Sequence, residues 1–485
     1  MKVALLSDLH YSKTRNVELP CRAGHYADTL LLRAVHRLNR YLKPDLVILG
    51  GDLINDPQGT DAEELLSELG RIIGLLDAPV IAIPGNHDPA PEIFYRHIPR
   101  PPEFLDCGGV RFIPFCDAET PGYNAARSAA DLERFRHLAA FSGPVVMVQH
   151  VPLFRPGAAP SPYHYDNIEE ILSSLPQNIR TIAMGGHFHA GYAPAEGGNL
   201  ISICASALCE TPFAFEIINI APDGQVTRQP HTLKLPEIPG LRDLHVHTRL
   251  AYCSENMDVG KTLELARMFG LEEVAFCEHT SHLYWDKELY KQGWYNRDGL
   301  TGCTMDRTGE YFALLEPFRD RGGFLTGFEL DIDRRGELVV RPEALARAEI
   351  TLGAVHYMEN KVDQTSAKTE FMFKTKALVE SGIDILAHPF RAFRRSGLPC
   401  PAELFAPVAE LLRANGVAAE VNYHTNDPEL EFFAQCLEKG VELSFGSDSH
   451  NLYEVGEFYP HLEFARRLGI YDRLDEVMYS GPSGE

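Results

Sequence analysis

The sequence predicts an α/β protein built as two domains, and three observations carry that prediction. Short apolar runs of strand length alternate with segments of helical periodicity through both halves. A proline-rich stretch, Lys234-Leu235-Pro236-Glu237-Ile238-Pro239-Gly240, separates them and suits neither a helix interior nor a central strand. The ends of the apolar runs carry histidine, aspartate, glutamate or asparagine in both halves. At about 150 residues per domain, two large domains fit 485 residues. The expected domains are residues 1–235 and 242–485, joined by a linker at 236–241.

In chain order, the strands expected in the first half are 3–7, 46–49, 80–83, 145–148 and 181–184, with helical stretches such as 29–42 and 62–76 between them. Ala221-Pro222-Asp223-Gly224 reads as a turn. After the connector, strand-like runs recur at 243–246, 274–277, 324–328, 351–355, 384–387, 418–421 and 442–445. Seven such runs with helices between most of them suggest a parallel, barrel-like arrangement. The last residues, 480–485, read as a frayed tail.

Composition narrows the function classes. Hydrophobic residues at 45% and charged residues at 23% exclude a disordered or collagen-like chain. Ten cysteines without a CxxC pair read as reduced thiols, and nothing at the start reads as a signal peptide, so a cytoplasmic location is expected. No apolar run reaches the roughly 20 residues of a membrane span. The net charge of −23 is shared: 19 Lys and Arg stand against 27 Asp and Glu up to Glu237, and 26 against 41 after it. That balance argues against coating nucleic acid. A small phosphorylated substrate stays compatible, because bound divalent metals reverse the sign locally.

In the first half the strand ends carry Asp8-Leu9-His10, Gly50-Gly51-Asp52, Gly85-Asn86-His87-Asp88, Gln149-His150 and Gly186-His187-Phe188-His189. Residues two apart on an extended chain face the same way, so Asp8 with His10, and His187 with His189, aim paired ligands at one point. The glycines before Asp52, Asn86 and His187 let the backbone turn tightly there. Asp8, His10, Asp52, Asn86, His150, His187 and His189 supply enough donors for two metals with Asp52 shared. Mixed nitrogen and oxygen donors suit Mn, Fe or Zn. Such a pair ionises a water for in-line attack on phosphorus.

The order Asp-x-His, Gly-Asp, Gly-Asn-His-Asp, His, Gly-His-x-His resembles the calcineurin-like metallophosphoesterases over residues 1 to about 220. The resemblance implies a four-layer αββα sandwich. It implies one metal on Asp8, His10, Asp52 and His189, and a second on Asp52, Asn86, His150 and His187. His87 would be the catalytic acid that protonates the leaving group. The compact pattern is more similar to the cyclic-nucleotide phosphodiesterase branch than to the protein phosphatases.

The second half carries His245-Val246-His247, Glu278-His279, Glu329, His356, His388 and Asp448-Ser449-His450 at its strand ends. The series resembles the PHP (polymerase and histidinol phosphatase) family over residues 241 to about 455. It implies a distorted (βα)7 barrel with two or three metals on His245, His247, His279, Glu329, His356, His388, Asp448 and His450, with Glu329 and Asp448 bridging. Cys253 falls near a position where that family often has histidine, and a thiolate ligates zinc. Glu278 stands where aspartate is commoner.

Arg249 and the group Arg391, Arg394 and Arg395 are candidate substrate contacts, since guanidinium forks match phosphate. The segment 282–310, which holds Trp285 and Trp294, is either a lid that stacks on a base or sugar or local packing. The loop 155–164 either rims the first site or is plain surface. The expected function is hydrolysis of a small phosphodiester, cyclic or nucleotide-like, followed or accompanied by that of a phosphomonoester. The alternatives are a nuclease on DNA or RNA, or one catalytic domain beside one that senses a phosphorylated ligand.

Overall fold

A computed structural model describes residues 1–135, 141–176 and 179–481; residues 482–485 of the expected tail lie outside the described residues. The chain divides into two compact units, Met1–Lys234 and Leu235–Glu485.

The first unit holds two large sheets. The strands are β1 (Lys2–Leu6), β2 (Leu46–Leu49), β3 (Val80–Ala82), β4 (Leu105–Cys107), β5 (Val110–Pro114), β6 (Ala118–Thr120), β7 (Asn124–Ala126), β8 (Val145–Val148), β9 (Thr181–Gly185), β10 (Tyr192–Gly197), β11 (Leu200–Cys204), β12 (Ala214–Ile220) and β13 (Val226–Thr232). One sheet runs β13-β12-β1-β2-β3 and the other β10-β11-β9-β8-β5-β4, while β6 and β7 form a separate hairpin. Val3, Leu5 and Ile48 of one sheet and Phe112, Val146, Ile182 and Ile203 of the other share a single apolar cluster. The alternate residues Ala4, Leu6, Val47 and Leu49 are also buried, so the first sheet is covered on both faces. The helix Ala27–Arg37 buries Leu30, Leu31, Ala34 and Val35, a stripe spaced by three and four residues.

The sequence anticipated parallel βα units here, and antiparallel pairings in both sheets depart from that. β12 pairs antiparallel with both β1 and β13, β10 with β11, and β4 with β5. The turn at 221–224 closes the β12–β13 hairpin, with Ala221 N donating to Gln225 O and Gly224 at φ 81°. β13 escaped notice because it is an edge strand with an interior proline, Pro230, and little apolar alternation.

The second unit contains β14 (Arg242–Val246), β15 (Glu273–His279), β16 (Phe324–Leu330), β17 (Ile350–Gly353), β18 (Ile385–Leu386), β19 (Ala418–Asn422) and β20 (Leu443–Gly446). They form one parallel sheet in chain order. It is nearly closed: a parallel bridge joins Val246 to Ser449, and Asp448 N donates to His245 O. Helices return the chain between strands. Val259–Phe269, for example, starts at Asp258, whose side chain accepts from Lys261 N, and stops at Gly270 with φ 91°.

Candidate metal centres

In the first unit, five chain segments deliver side chains to one place because β1, β2, β3, β8 and β9 are parallel or end on the same side. Asp8, His10, Asp52 and His187 adopt φ of 57°, 47°, 53° and 66°, a left-handed backbone that non-glycine residues rarely take. Such conformations persist only where the surroundings dictate them. A Cβ on Gly85 would overlap Asp52 Oδ1, and one on Gly186 would overlap Asp8, so both positions require glycine.

Asp52 sits between two groups of donors. On one side, His10 Nε2 lies 3.6 Å from Asp52 Oδ2, His10 Nε2 and His189 Nε2 are 3.1 Å apart, and His189 Nε2 is 3.7 Å from Asp8 Oδ1. On the other, His150 Nε2 is 3.4 Å from Asp52 Oδ2, 3.1 Å from Asn86 Oδ1 and 3.1 Å from His187 Nδ1. Ligand atoms in the sets Asp8/His10/His189, His10/Asp52/His87 and Asp52/His150/His187 lie within 4.8 Å of one another. The remaining ring nitrogens are fixed from behind. His150 Nδ1 is 2.8 Å from Gly50 O, His189 Nδ1 2.6 Å from Glu210 Oε1 and His187 Nε2 2.9 Å from Tyr123 O. Outer partners of this kind set which nitrogen is free to ligate.

His87 packs edge-on to His10, 4.7 Å between centroids, and its Nδ1 lies 2.8 Å from Asn55 O, which leaves Nε2 for the solvent side. Burial and the Asp52 charge push the Asp88 carboxyl up to about 7, while its oxygens accept from Leu53 N, Ile54 N and Gly85 N. Asp88 braces the loops that carry Asp52 and Asn86. Arg22, which sequence reading did not single out, brings Nη1 to 3.4 Å from His10 Nδ1. The loop 155–164 does reach the rim, where the Tyr163 ring meets His187 at 4.3 Å.

In the second unit, all eight residues singled out meet at the ends of the parallel strands. Glu329 is the hub: Oε1 is 3.0 Å from His356 Nε2 and 2.6 Å from His388 Nε2, and Oε2 is 2.6 Å from His279 Nδ1 and 3.4 Å from His245 Nε2. Asp448 Oδ1 is 3.0 Å from His247 Nε2. His247, His279 and His450 form a further close group. His388 and Asp448 again take positive φ, 30° and 55°. Burial alone would raise the Glu329 carboxyl, but the imidazoles of His356, His279 and His245 hold it well below the usual carboxylate range.

Six buried atoms in this cluster lack a well-aligned hydrogen bond: His245 Nε2, His247 Nδ1, His279 Nδ1, Glu329 Oε2, His356 Nε2 and His450 Nε2. Each orphaned buried group costs on the order of 1–3 kcal/mol. Imidazole nitrogens and carboxylate oxygens that crowd together without well-aligned hydrogen bonds are the donor set of a divalent metal, so these residues fit one. Outer partners missed by sequence reading complete the cluster. Glu420 approaches His245 Nδ1 at 2.7 Å and accepts from His388 N, and Asp331 lies 2.7 Å from His356 Nδ1. Glu278 accepts from Thr248 N and Thr248 Oγ1 and stands 3.6 Å from His247 Nδ1.

Cys253 Sγ lies 3.8 Å from His279 Nε2, and Cys253, His279 and His282 bring ligand atoms within 4.8 Å. Burial, Asp448 and Glu278 push the metal-free thiol up to about 12. Arg391 is buried, with Nη1 2.5 Å from Asp448 Oδ2 and Nη2 2.5 Å from His388 Nε2. Arg249 is not brought to the cluster: it is exposed and lines a separate depression with Met257, Val259 and Phe318. Arg394 is exposed and pairs with Asp427, and Arg395 Nη2 donates to Thr425 Oγ1. In the 282–310 segment, Trp285 is buried with Nε1 donating to Gly299 O, which is packing. Trp294 carries Arg297 over its face. Tyr252 and Tyr290 instead flank His282, at 4.6 and 4.2 Å.

No curated protein matches this sequence. Among solved structures, a dimetal phosphatase from Danio rerio is 18% identical, covering 48% of this chain and 98% of its own, with a TM-score of 0.37. A histidinol phosphate phosphatase from Lactococcus lactis, solved with zinc, L-histidinol and phosphate, is 17% identical, covering 47% and 94%, with a TM-score of 0.34. A putative histidinol phosphatase from Listeria monocytogenes is 15% identical, covering 45% and 99%, with a TM-score of 0.31. Residues 1–191, the stretch that holds the whole first cluster, match the family model of the calcineurin-like phosphoesterases, and the chain is a metal-dependent hydrolase acting on phosphoric ester bonds.

Proposed function

We propose that the chain is a phosphohydrolase with two separate metal sites, a phosphodiesterase in the first unit and a phosphomonoesterase in the second. On this reading the first unit is a four-layer αββα sandwich and the second a distorted (βα)7 barrel of the PHP type. The observation that carries it is the position of one carboxylate in each cluster, Asp52 and Glu329, between two sets of imidazoles.

In the first site, Asp8, His10, Asp52 and His189 would hold one metal and Asp52, Asn86, His150 and His187 another. In the second, His245, His247, His279, Glu329, His356, His388, Asp448 and His450 would hold two, with Cys253 a candidate ligand for a third. Mn, Fe or Zn suits these donors. When bound, the metals supply an activated water and neutralise charge on the phosphoryl oxygens. His87, with Nδ1 anchored on Asn55 O, presents Nε2 to donate a proton to the departing alcohol. Arg391 is the basic group nearest the second cluster and would orient the phosphoryl oxygens there. A diester opened in the first site yields a monoester, the substrate class of the second, which gives the fusion a chemical logic. The free state of all ten cysteines suits a reducing compartment.

Product analysis with added Mn tests this reading on cyclic and linear diesters followed to free phosphate. Wild type is expected to reach phosphate, Asp52→Ala to leave the diester intact, and His388→Ala to stop at the monoester. If one variant abolishes both steps and the other changes nothing, a single site does all the chemistry and the reading fails.

A further inference from the structure

A cavity of about 310 Å³ opens beside the first cluster, with Asn86, His150 and His187 forming its floor. That volume lies at the lower end of the range of small-ligand pockets. Its walls are apolar and stiff, built from Pro84, Pro89, Pro91 and Val151 together with Ala118 and Ala125. The β6–β7 hairpin makes one wall: Glu119 and Ala125 are cross-strand partners, and both line the cavity. At the hairpin tip Tyr123 takes φ 61°, its carbonyl lies 2.9 Å from His187 Nε2, and its side chain is 59% exposed. The hairpin is thus pinned to a proposed metal ligand, and the Tyr123 ring is left at the mouth.

The charges in this cavity are one-sided. Its lining holds three carboxyl groups, Asp88, Asp117 and Glu119, and no lysine or arginine. Two of the three are spoken for. Asp117 accepts from Arg127 Nε and Nη2 and from Tyr165 OH, and Asp88 accepts from three backbone N–H groups. Glu119 is exposed and has no hydrogen bond or ion pair among the described residues.

We propose that this cavity receives the alcohol moiety of the ester and selects a compact organic ammonium group, with Glu119 supplying the countercharge and Tyr123 the ring face. The inference rests on the phosphoesterase reading of the first site and adds a substituent class to it. Apolar walls accept the alkyl carbons, and an ammonium placed over a tyrosine face is attracted by the ring quadrupole. A substituent bearing a carboxylate or a second phosphate would meet unpaired negative charge and no base, so it is disfavoured.

The test compares three p-nitrophenyl phosphodiesters whose second alcohol is choline, its uncharged isostere 3,3-dimethylbutanol, or a hydroxyalkyl carboxylate of similar length. The Mn-loaded full chain, Glu119→Gln and Glu119→Lys are assayed on each. Calorimetry with phosphocholine and 4-phosphobutyrate runs in parallel. Wild type is expected to favour the choline ester over the carboxylate ester by about tenfold in kcat/KM, chiefly through KM. Glu119→Gln should shrink the preference and Glu119→Lys reverse it. Added salt should flatten it, as for any partly exposed charge contact. Turnover without a charge preference, or with one indifferent to Glu119, overturns the subsite and leaves the hydrolytic reading standing. A Glu119-dependent difference in binding without turnover does the opposite. Neither turnover nor Glu119-dependent binding overturns both.

Discussion

In the first cluster Asn86, His87, His187 and His189 are all partly exposed, and two cavities open onto them. In the second, His245, His247, Glu329 and Asp448 are fully enclosed, and Arg391 is buried among them. The residue types are nearly the same, so the contrast lies in access. An open cluster bordered by Tyr123, Tyr163 and Phe188 leaves room for a substituent on phosphorus. The enclosed one keeps its hub carboxylate and the imidazoles of His245 and His247 away from solvent. On the proposed reading, this difference, rather than the ligand inventory, would separate a diester site from a monoester site.

The hubs offer the hardest test of two independent clusters, and the largest effect. Asp52→Ala removes the oxygen common to both donor groups of the first cluster, and Glu329→Ala does so in the second. Each variant is expected to lose at least about 100-fold in metal affinity at its own cluster, since even outer partners cost 10–100-fold. Metal content measured by mass spectrometry should fall only by the share of the altered unit. A fall across both clusters would break the comparison. Glu329→Ala should also lower thermal stability less in the metal-free protein than in the loaded one, because metal binding and folding are linked.

Next in size are the outer partners. Glu420 is buried and serves both His245 and His388, whereas Glu210 is partly exposed and touches His189. Glu420→Gln should therefore cost about 10–100-fold in metal affinity in the second unit, and Glu210→Gln less in the first. Competition with a coloured chelator reads both values. Equal losses would mean that burial does not govern how firmly the two clusters are held.

Neither Glu420 nor Glu210 was legible from sequence, and the reason is physical. The proposed ligands stand out because a metal demands particular residue types at strand ends, spaced two apart, as in Asp8/His10 and His245/His247. An outer partner needs only to reach one ring nitrogen, and any carboxylate in range serves. Glu420 even lies within an anticipated strand, at a position that reads as ordinary alternation. The same asymmetry applies to the fold. Five buried parallel strands of the first unit were visible as apolar runs, with β2 and β8 placed to the residue. The equally buried β5, β11 and β12 were not anticipated, nor were β13 and the hairpin β6–β7, whose exposed residues carry no apolar code. The candidate substrate contacts followed neither rule: Arg391 reaches its cluster, Arg249 does not, and their sequence signals were equivalent.

The smallest effect is the most discriminating, because it reads the electrostatics of the clusters rather than their removal. In the metal-free protein, burial would depress His150, but the Asp52 carboxylate pushes it up to about 10. In the second cluster burial is likewise outweighed: Asp448 and Glu278 push His247 up to about 9, and Glu329 and Asp331 push His356 to about 9. These imidazoles hold protons at pH 7, whereas His187, lowered to about 4 by burial and by His150, is already neutral. A metal can take His150, His247 or His356 only after its proton leaves, so loading releases protons and affinity rises with pH until the folded pKa is passed. Calorimetry of Mn loading in two buffers of different ionisation enthalpy counts those protons between pH 6 and 8. Asp52→Ala and Glu329→Ala then divide the count between units, with the larger release expected from the second, where His245, His247 and His356 are all raised by neighbouring carboxylates, against His150 and His189 in the first. A release that vanishes at pH 7 would show both clusters standing neutral before metal arrives. The imidazoles would then stand unprotonated despite the neighbouring carboxylates, and the enclosed cluster would owe its shape to packing rather than to charge.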